Sequence, residues 1–557
     1  MPLVFIAFLL LTTFPTEQQE SQLPKALFHL EAMSEPTPPP PTAELRKRAK
    51  ILLETAEVES KALQGGMRAF NLLQLGRVYQ SSDKKKAVTL LNEAFSAAAI
   101  MVEPAENAEP QQATWDPRSS KGELEDEIVQ ALCNLAPDRA EELLTQMEPR
   151  YRANVVRMLL ERDVEKKQYD RAIELVKRAA EGGEFPYGAA DRLLSTLPKQ
   201  MAMERQHLFA TALLSFRDHP PESTAYSGTD FSDLMARHWH DLPLSMVRAS
   251  LDLILHPPEV KLSSQDNGAT MYIDGREVNF TSQHEYQLFQ VLPILRQIDV
   301  SAFNAALEER KNLGAMLERY PDGMTSFFEQ ESPASESKGM HTPWVSPGGL
   351  MVTGDSRSDS FVITRNQGGR IEEFKFSEIY MHPEEAIAKA VQMSDQRART
   401  SALEWIASST LTVNPDATRT AIGKLLERPN LRPNEEAYLQ QTAATLYLRL
   451  GDHEAALETV KKGAAVARKV YEIEMNGPDP NQALKAYWLS SHMWRGLIRL
   501  AAQLSPNVAV AMVDAIPDAD IKATERIALA SAWLGLPSVE STVIVKTKSW
   551  PFKPPSP

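Results

Sequence analysis

Two pentapeptides of this chain, HEYQL at His284 and HEAAL at His453, begin as a zinc-peptidase helix begins. That chemistry needs a second histidine four residues on, so that two imidazoles on one helix face share the metal. Leu288 and Leu457 stand there instead, so neither stretch makes a zinc site by itself. RHWHD sets His238 and His240 two residues apart with Asp241 beside them. On a helix such a pair diverges, whereas in a strand or turn both rings could face one cation. The competing reading is a helix end before Pro243, with cationic side chains near the last carbonyls. GLMVTGDSRSDS offers Asp355, Ser356, Arg357, Asp359 and Ser360, residues that suit a catalytic or cation-binding loop and equally a solvated turn.

The remaining chemistry is thinner. The carboxylate runs GELEDEIV (122–129) and RAEELL (139–144) suit a helix start or an exposed helix face, not the convergent pair that general acid–base work requires. No Gly-x-Ser-x-Gly elbow, phosphate-binding glycine loop with lysine, or dinucleotide fingerprint occurs, so no cofactor is expected. Cys133 is the only cysteine; its apolar neighbours predict a buried, inert thiol, with a reactive one as the alternative. Aromatic residues form the last group. Tyr487, Trp488 and Trp494 fall in AYWLSSHMWRGLIRLA (486–501), where helical spacing predicts core packing. Their alternative role is a recognition surface, since Trp and Tyr are favoured at interface centres. Trp344, flanked by Pro343 and Pro347, is a further recognition candidate on a loop.

The elements that would position these residues are mostly helical. With 557 residues the chain is too long for one hydrophobic core. LAPDRAEELLTQMEP (135–149) places Ala140, Leu143, Leu144 and Met147 after Pro137, and LSPNVAVAMVDAIPD (504–518) repeats these offsets with Ala509, Met512, Val513 and Ile516. HPEEAIAKAVQMSD keeps Pro383, Ala386, Ala390 and Met393, while Lys389 breaks the stripe. Proline presets the first helical turn, alanine lets a neighbouring helix approach, and the larger residues make one apolar face. Each copy precedes a second helical stretch, so the unit is a helical hairpin that needs a neighbour to cover it.

A second pattern runs small, bulky, small: Ala87, Leu91 and Ala94; Ala172, Val176 and Ala179; Ala456, Val460 and Gly463. Together with Ala444, Tyr447, Gly451 and Asp452, the stretch AATLYLRLGDHEAALETVKKG (443–463) resembles a tetratricopeptide repeat. That resemblance implies stacked helical hairpins that present a groove to peptides or protein partners. The usual Trp and closing Pro of that family are absent, and the spacing between units is irregular.

The expected fold is therefore mainly α, an irregular α-solenoid of helical hairpins with a small β- and loop-containing insertion in the middle. Residues 1–16 form a signal peptide or N-terminal anchor, because MPLVFIAFLLLTTF is apolar but short for a bilayer span. A Pro-rich linker follows at 17–41, then an N-terminal helical array at 42–257. A mixed insertion spans 258–380, with a hairpin turning at Asp274-Gly275 and a long loop. A C-terminal helical array at 381–540 and a flexible Pro-rich tail at 541–557 complete the division.

A formal net charge of −14 opposes nucleic-acid binding, which requires a basic surface. The functional expectation is an exported, envelope-associated (periplasmic) protein that binds a protein or peptide partner or scaffolds an assembly. The alternative is an envelope hydrolase or lyase whose site lies between the insertion and the helical arrays. Fractionation of cells making the full chain should find it outside the cytoplasm or attached to the membrane. Deleting residues 2–16 should strand it in the cytoplasm, and unchanged partitioning would reject the export reading.

Overall fold

The computed structural model describes residues 41–101, 121–183, 185–218, 230–257, 270–273, 276–308, 310–323, 344–345, 350–355, 360–365, 370–428, 431–477 and 484–536. The apolar start, the linker up to residue 40, loop residues 331–343 and 346–349, and the 541–557 tail lie outside the described residues. Among the described residues there are 23 α-helices and only six short strands, so the fold is mainly α and built of helical repeats. No described helix is long and apolar enough to cross a membrane.

Strand occurs only where the sequence alternates. β1 (Thr270–Ile273) pairs antiparallel with β2 (Arg276–Asn279), Ile273 opposite Arg276 and Thr270 opposite Asn279; the expected turn residues Asp274 and Gly275 lie outside the described residues. β3 (Trp344–Val345), β4 (Leu350–Asp355), β5 (Ser360–Arg365) and β6 (Arg370–Lys375) form one antiparallel sheet in sequence order, irregular at Ile363/Thr364.

Helix starts follow the punctuation of the sequence. The helices Pro137–Leu144, Pro149–Glu165, Pro383–Val391, Pro415–Leu426, Pro433–Arg449 and Pro506–Asp514 all carry proline in the first turn, where its missing N–H costs no intrahelical bond. Side chains of Asp83, Ser282, Asp395, Asn414, Asp452 and Asp518 cap helix starts by accepting from first-turn N–H groups, Asn414 adding its cap to the proline of Pro415–Leu426.

The described residues divide into two compact units, one of 41–323, 484–488 and 517–536, the other of 344–477 and 489–516. In the first, helices mostly pack on their sequence neighbours: Gly65–Tyr79 on Lys84–Ala99, then Lys121–Leu135, Pro149–Glu165 and Tyr169–Glu181 in turn. Ala140, Leu143, Leu144 and Met147 are buried, as their shared stripe requires. The helix Ala519–Trp533 packs in this unit against Ala43–Ala62. There Thr524 Oγ1 donates to Asn71 Oδ1 at 2.7 Å, Arg526 pairs with Glu59, and Lys485 bridges Asp518 and Asp520 at 2.7 and 2.9 Å.

In the second unit Ile363 of β5 and Phe374 of β6 enter the same core as Ile379, Ala386, Ala402, Ile406, Ile422 and Leu446. Lys389, the residue that breaks the apolar stripe, explains itself here. Its ammonium donates to the Glu373 carbonyl of β6 at 2.7 Å, pairs with Glu372 at 3.2 Å and lies over the Phe374 ring. Gly463 marks a close helix approach, since a Cβ there would meet the Leu497 side chain at 2.9 Å.

The stretch 443–463 turns at Gly451. After Pro433–Arg449, Gly451 adopts φ +74°, its N–H reaches the Leu448 carbonyl at 3.0 Å and the Asp452 N–H reaches Tyr447 at 2.9 Å. The same double bond closes Pro149–Glu165, from Lys167 to Val164 at 2.9 Å and from Gln168 to Asp163 at 2.8 Å. This is the helix stop that favours glycine, yet Lys167 occupies it at φ 56°. A side chain there costs about 1–2 kcal/mol, partly offset by the unfolded-chain entropy that glycine adds. Lys167→Gly should therefore stabilise the chain by about 0.5–1 kcal/mol in a urea titration; a destabilised variant would show that the Lys167 side chain makes a compensating contact.

Candidate functional site

His284 sits in Gln283–Ile298 with Nε2 2.8 Å from the Ile254 carbonyl oxygen, and Leu288 is buried. His453 is the exposed first residue of its helix. His238 is buried at the end of Phe231–His238, its Nε2 2.8 Å from Asp191 Oδ1, while Arg237 holds Asp191 Oδ2 at 2.6 Å. His240 instead stacks on Trp239 in the following turn, and Asp241 pairs with Arg205 at 2.7 Å. The two histidines thus serve different contacts. Among the described residues no group of three or more metal-ligating side chains converges.

Asp355 and Ser360 are paired across the β4–β5 turn, whose residues 356–359, including Ser356, Arg357 and Asp359, lie outside the described residues. The acidic run at 122–129 begins the helix Lys121–Leu135, but its face is packed rather than exposed. Glu125 and Asp126 are buried, with Asp126 accepting from Gln130 at 2.6 Å. Cys133 is buried, with Sγ 3.3 Å from the Val129 carbonyl oxygen.

Two of the aromatic candidates, Trp488 and Trp494, take core positions. Trp494 is 3% exposed and stacks obliquely on Tyr471 with centroids 5.7 Å apart. Trp488 is buried, and Tyr487 is half-buried with its ring edge-on to Phe70 at 5.4 Å. Trp344 lies in β3, its backbone opposite Val352 of β4.

A site that the sequence reading did not pick out lies in the second unit. It is a cavity of about 150 Å³ bounded by Gln396–Thr410, by Arg428 just beyond the end of Pro415–Leu426, and by the first turns of Pro433–Arg449. Arg397, Arg432 and Asn434 are exposed at its edge; Glu404, fully buried, lies in its wall with Thr400, Ser401, Tyr438 and Leu439. Asp395 fixes the first of these helices by accepting from the Arg397 and Ala398 N–H groups at 3.0 and 3.1 Å. Arg428 is tied across it: Nη1 donates to Thr400 Oγ1 at 2.9 Å and Nη2 to Gln396 Oε1 at 3.3 Å, with Glu435 at 3.9 Å.

What is left over gives the cavity its chemistry. The Nε–H of Arg428 and both carboxyl oxygens of Glu404 are buried without a hydrogen-bond partner. Burial pushes Glu404 up to about 8, and the nearby Tyr438 hydroxyl and Arg428 charge offset only part of that. Burial, then the Glu404 charge, also raises Tyr438 well above the usual phenol range. The lining thus sets a buried carboxyl, whose ionisation burial opposes, behind a rim that carries the guanidiniums of Arg397 and Arg432.

The sequence does carry a trace of it. Glu404 sits between Leu403 and Trp405 on a helix whose neighbours Ala402, Ile406 and Ala407 are all core, and an acid there has no solvated face to occupy. The first unit offers an instructive contrast. Burial and the Asp230 charge raise Asp233 too, but it caps the Asp230 backbone at 2.7 Å, while Asp230 accepts from Gln287 at 2.9 Å and Ser232 N–H at 2.7 Å. Here both carboxylates are held by hydrogen bonds from their own helix start and from the helix Gln283–Ile298.

No protein-family model matches the chain, and no curated protein matches it by sequence.

The folded chain keeps the Glu404 proton between the ordinary value of 4.5 and about 8, where the unfolded chain has released it. The folded state then binds more protons, so stability falls as pH rises through that window, by up to about 1.4 kcal/mol per pH unit. Glu404→Gln, a neutral isostere, should remove this component. The difference in urea midpoint between variant and wild type should grow from pH 5 to 8 in the variant's favour; a constant difference would show that Glu404 is ionised in the folded chain.

Proposed function

We propose that this chain is an exported helical-repeat protein that binds a protein or peptide partner, or scaffolds an assembly, at the cell envelope. The observation that carries the reading is the cavity just described. Its walls come from two helices of the repeat, Gln396–Thr410 and Pro433–Arg449, with Arg428 from the connection between them, and surfaces shared by stacked helices are where helical-repeat proteins bind. Its polar groups point to recognition of charge. The short apolar run at 1–14 supports the location.

A second reading, an envelope hydrolase or lyase, draws on the same Glu404, since an acid that ionises near neutrality suits proton transfer. Against it, the cavity lining includes Ser401 and Thr400 but no histidine to activate either.

The two readings separate experimentally. Full-length chain and an Arg397→Ala/Arg432→Ala variant, both exposed positions, should be crosslinked in the native envelope and compared. A binding protein gives a discrete adduct that the variant loses at least tenfold. If the adduct is equal in both, or if purified chain turns over envelope peptide or glycan, the binding reading fails.

A further inference from the structure

We propose that a groove in the first unit is a docking surface for an acidic peptide, an extended segment whose carboxylate side chain pairs with Arg68 while an apolar side chain two residues away lies on Ile100. The groove shares no residue with the cavity described above and does not depend on it.

The groove is open, with a volume of about 510 Å³, within the range of ligand sites. Thr89, Asn92, Glu93, Ser96 and Ile100 form one wall; spaced three or four apart, they make a single face of the helix Lys84–Ala99 and its end. Arg68 of Gly65–Tyr79 forms the other wall. Gly66 lies against Met101 and Gly76 against Leu91, so the two helices run antiparallel and Arg68 stands level with the Ile100 end. At the helical rise the face from Thr89 to Ile100 is about 16 Å long, the span of about five residues of extended chain.

Arg68 is the group that lacks an answer. It is half-buried and makes no hydrogen bond or ion pair with the described residues; its Nε–H is enclosed, while its Nη groups stay accessible from the groove. Glu93, the one acid of the lining, is already matched by Lys61 at 3.6 Å. A guanidinium held this way favours an anion, and a carboxylate meets its two Nη groups in a fork.

The other polar groups decide what carries that carboxylate. The Thr89 and Ser96 hydroxyls donate to the Lys85 and Asn92 carbonyls of their own helix, each at 3.1 Å, and so present lone pairs outward. Asn92 Oδ1 is taken by Arg139 Nε at 2.7 Å. Lone pairs repel the further oxygens of a phosphate but accept from the main-chain N–H groups of a peptide. Ile100, 73% exposed, offers apolar surface beside the guanidinium. Side chains two apart share one face of an extended chain, so an acid and an apolar residue at that spacing reach Arg68 and Ile100 together.

The test is fluorescence anisotropy of the full-length chain with fluorescein-labelled pentapeptides that end in carboxamides. One pool fixes Glu-Xaa-Leu, in either order, among serine, threonine and alanine; matched pools carry Gln-Xaa-Leu or Glu-Xaa-Ser. The Glu-Xaa-Leu pool should bind saturably, and the Gln-Xaa-Leu pool at least about tenfold more weakly. Arg68→Gln should bring both to the weaker level. Ile100→Ser should weaken the Glu-Xaa-Leu pool at least about threefold and leave the Glu-Xaa-Ser pool unchanged. Ser96→Glu, at an exposed position, should block the Glu-Xaa-Leu pool by answering the Arg68 charge; it decides the matter if Arg68→Gln fails to fold by circular dichroism. The Arg397→Ala/Arg432→Ala variant should bind the peptides as wild type does. The proposal is overturned if no pool saturates, if the Glu and Gln pools bind alike, or if Arg68→Gln keeps the preference for Glu. It is equally overturned if Ile100→Ser weakens both Glu pools alike, if sodium glutarate binds as tightly as the peptides, or if the double variant loses them. Failure of the envelope crosslink alone would reject the envelope reading and leave the peptide result standing.

Discussion

Close helix approach across small side chains is the constraint on which this fold depends. Ala140, Ala172, Ala456 and Gly463 are buried on helix faces where a larger group would hold the neighbour away, as the 2.9 Å encounter of a Cβ at Gly463 with Leu497 makes plain. A hairpin with such a face cannot cover itself. It gains stability only when another helix lies against it, so the units grow by addition of neighbours instead of around one central core.

That mode of growth decides where polar groups can survive. Between closely packed helices there is little room for water, and an ionisable side chain must find its partners on the adjoining helix. Asp191 does so with Arg237 and His238 at 2.6 and 2.8 Å. Glu404 has no such closure. Its carboxyl is buried behind the wall of a cavity that Arg428 and Tyr438 also line. An acid buried in a packed wall without a cationic partner is costly in its charged form, which is why burial favours the protonated carboxyl there.

Much of the fold was legible in local signals. Proline in the first turn, Asp or Asn caps, and the alternation around Asp274-Gly275 act within a few residues, so they place helix starts and the β1–β2 hairpin without knowledge of the rest. The small-bulky-small pattern likewise predicted buried positions, since helical periodicity alone sets which residues share a face. The chemical motifs were less informative. His238 and His240 stand two apart in sequence yet meet different partners, because a short turn after residue 238 rotates one ring away from the other.

The sequence by itself thus determined the mainly helical character, the hairpin unit and most of its buried stripe. Only the tertiary structure decided that Ala519–Trp533 packs on Ala43–Ala62, that Lys389 is anchored to β6, and that Glu404, Arg428 and Tyr438 line one cavity. The reason is the range of the forces involved. Caps and periodicity act over one or two turns of chain, whereas pairing between distant helices depends on shape and charge matched across many residues, which no local pattern records.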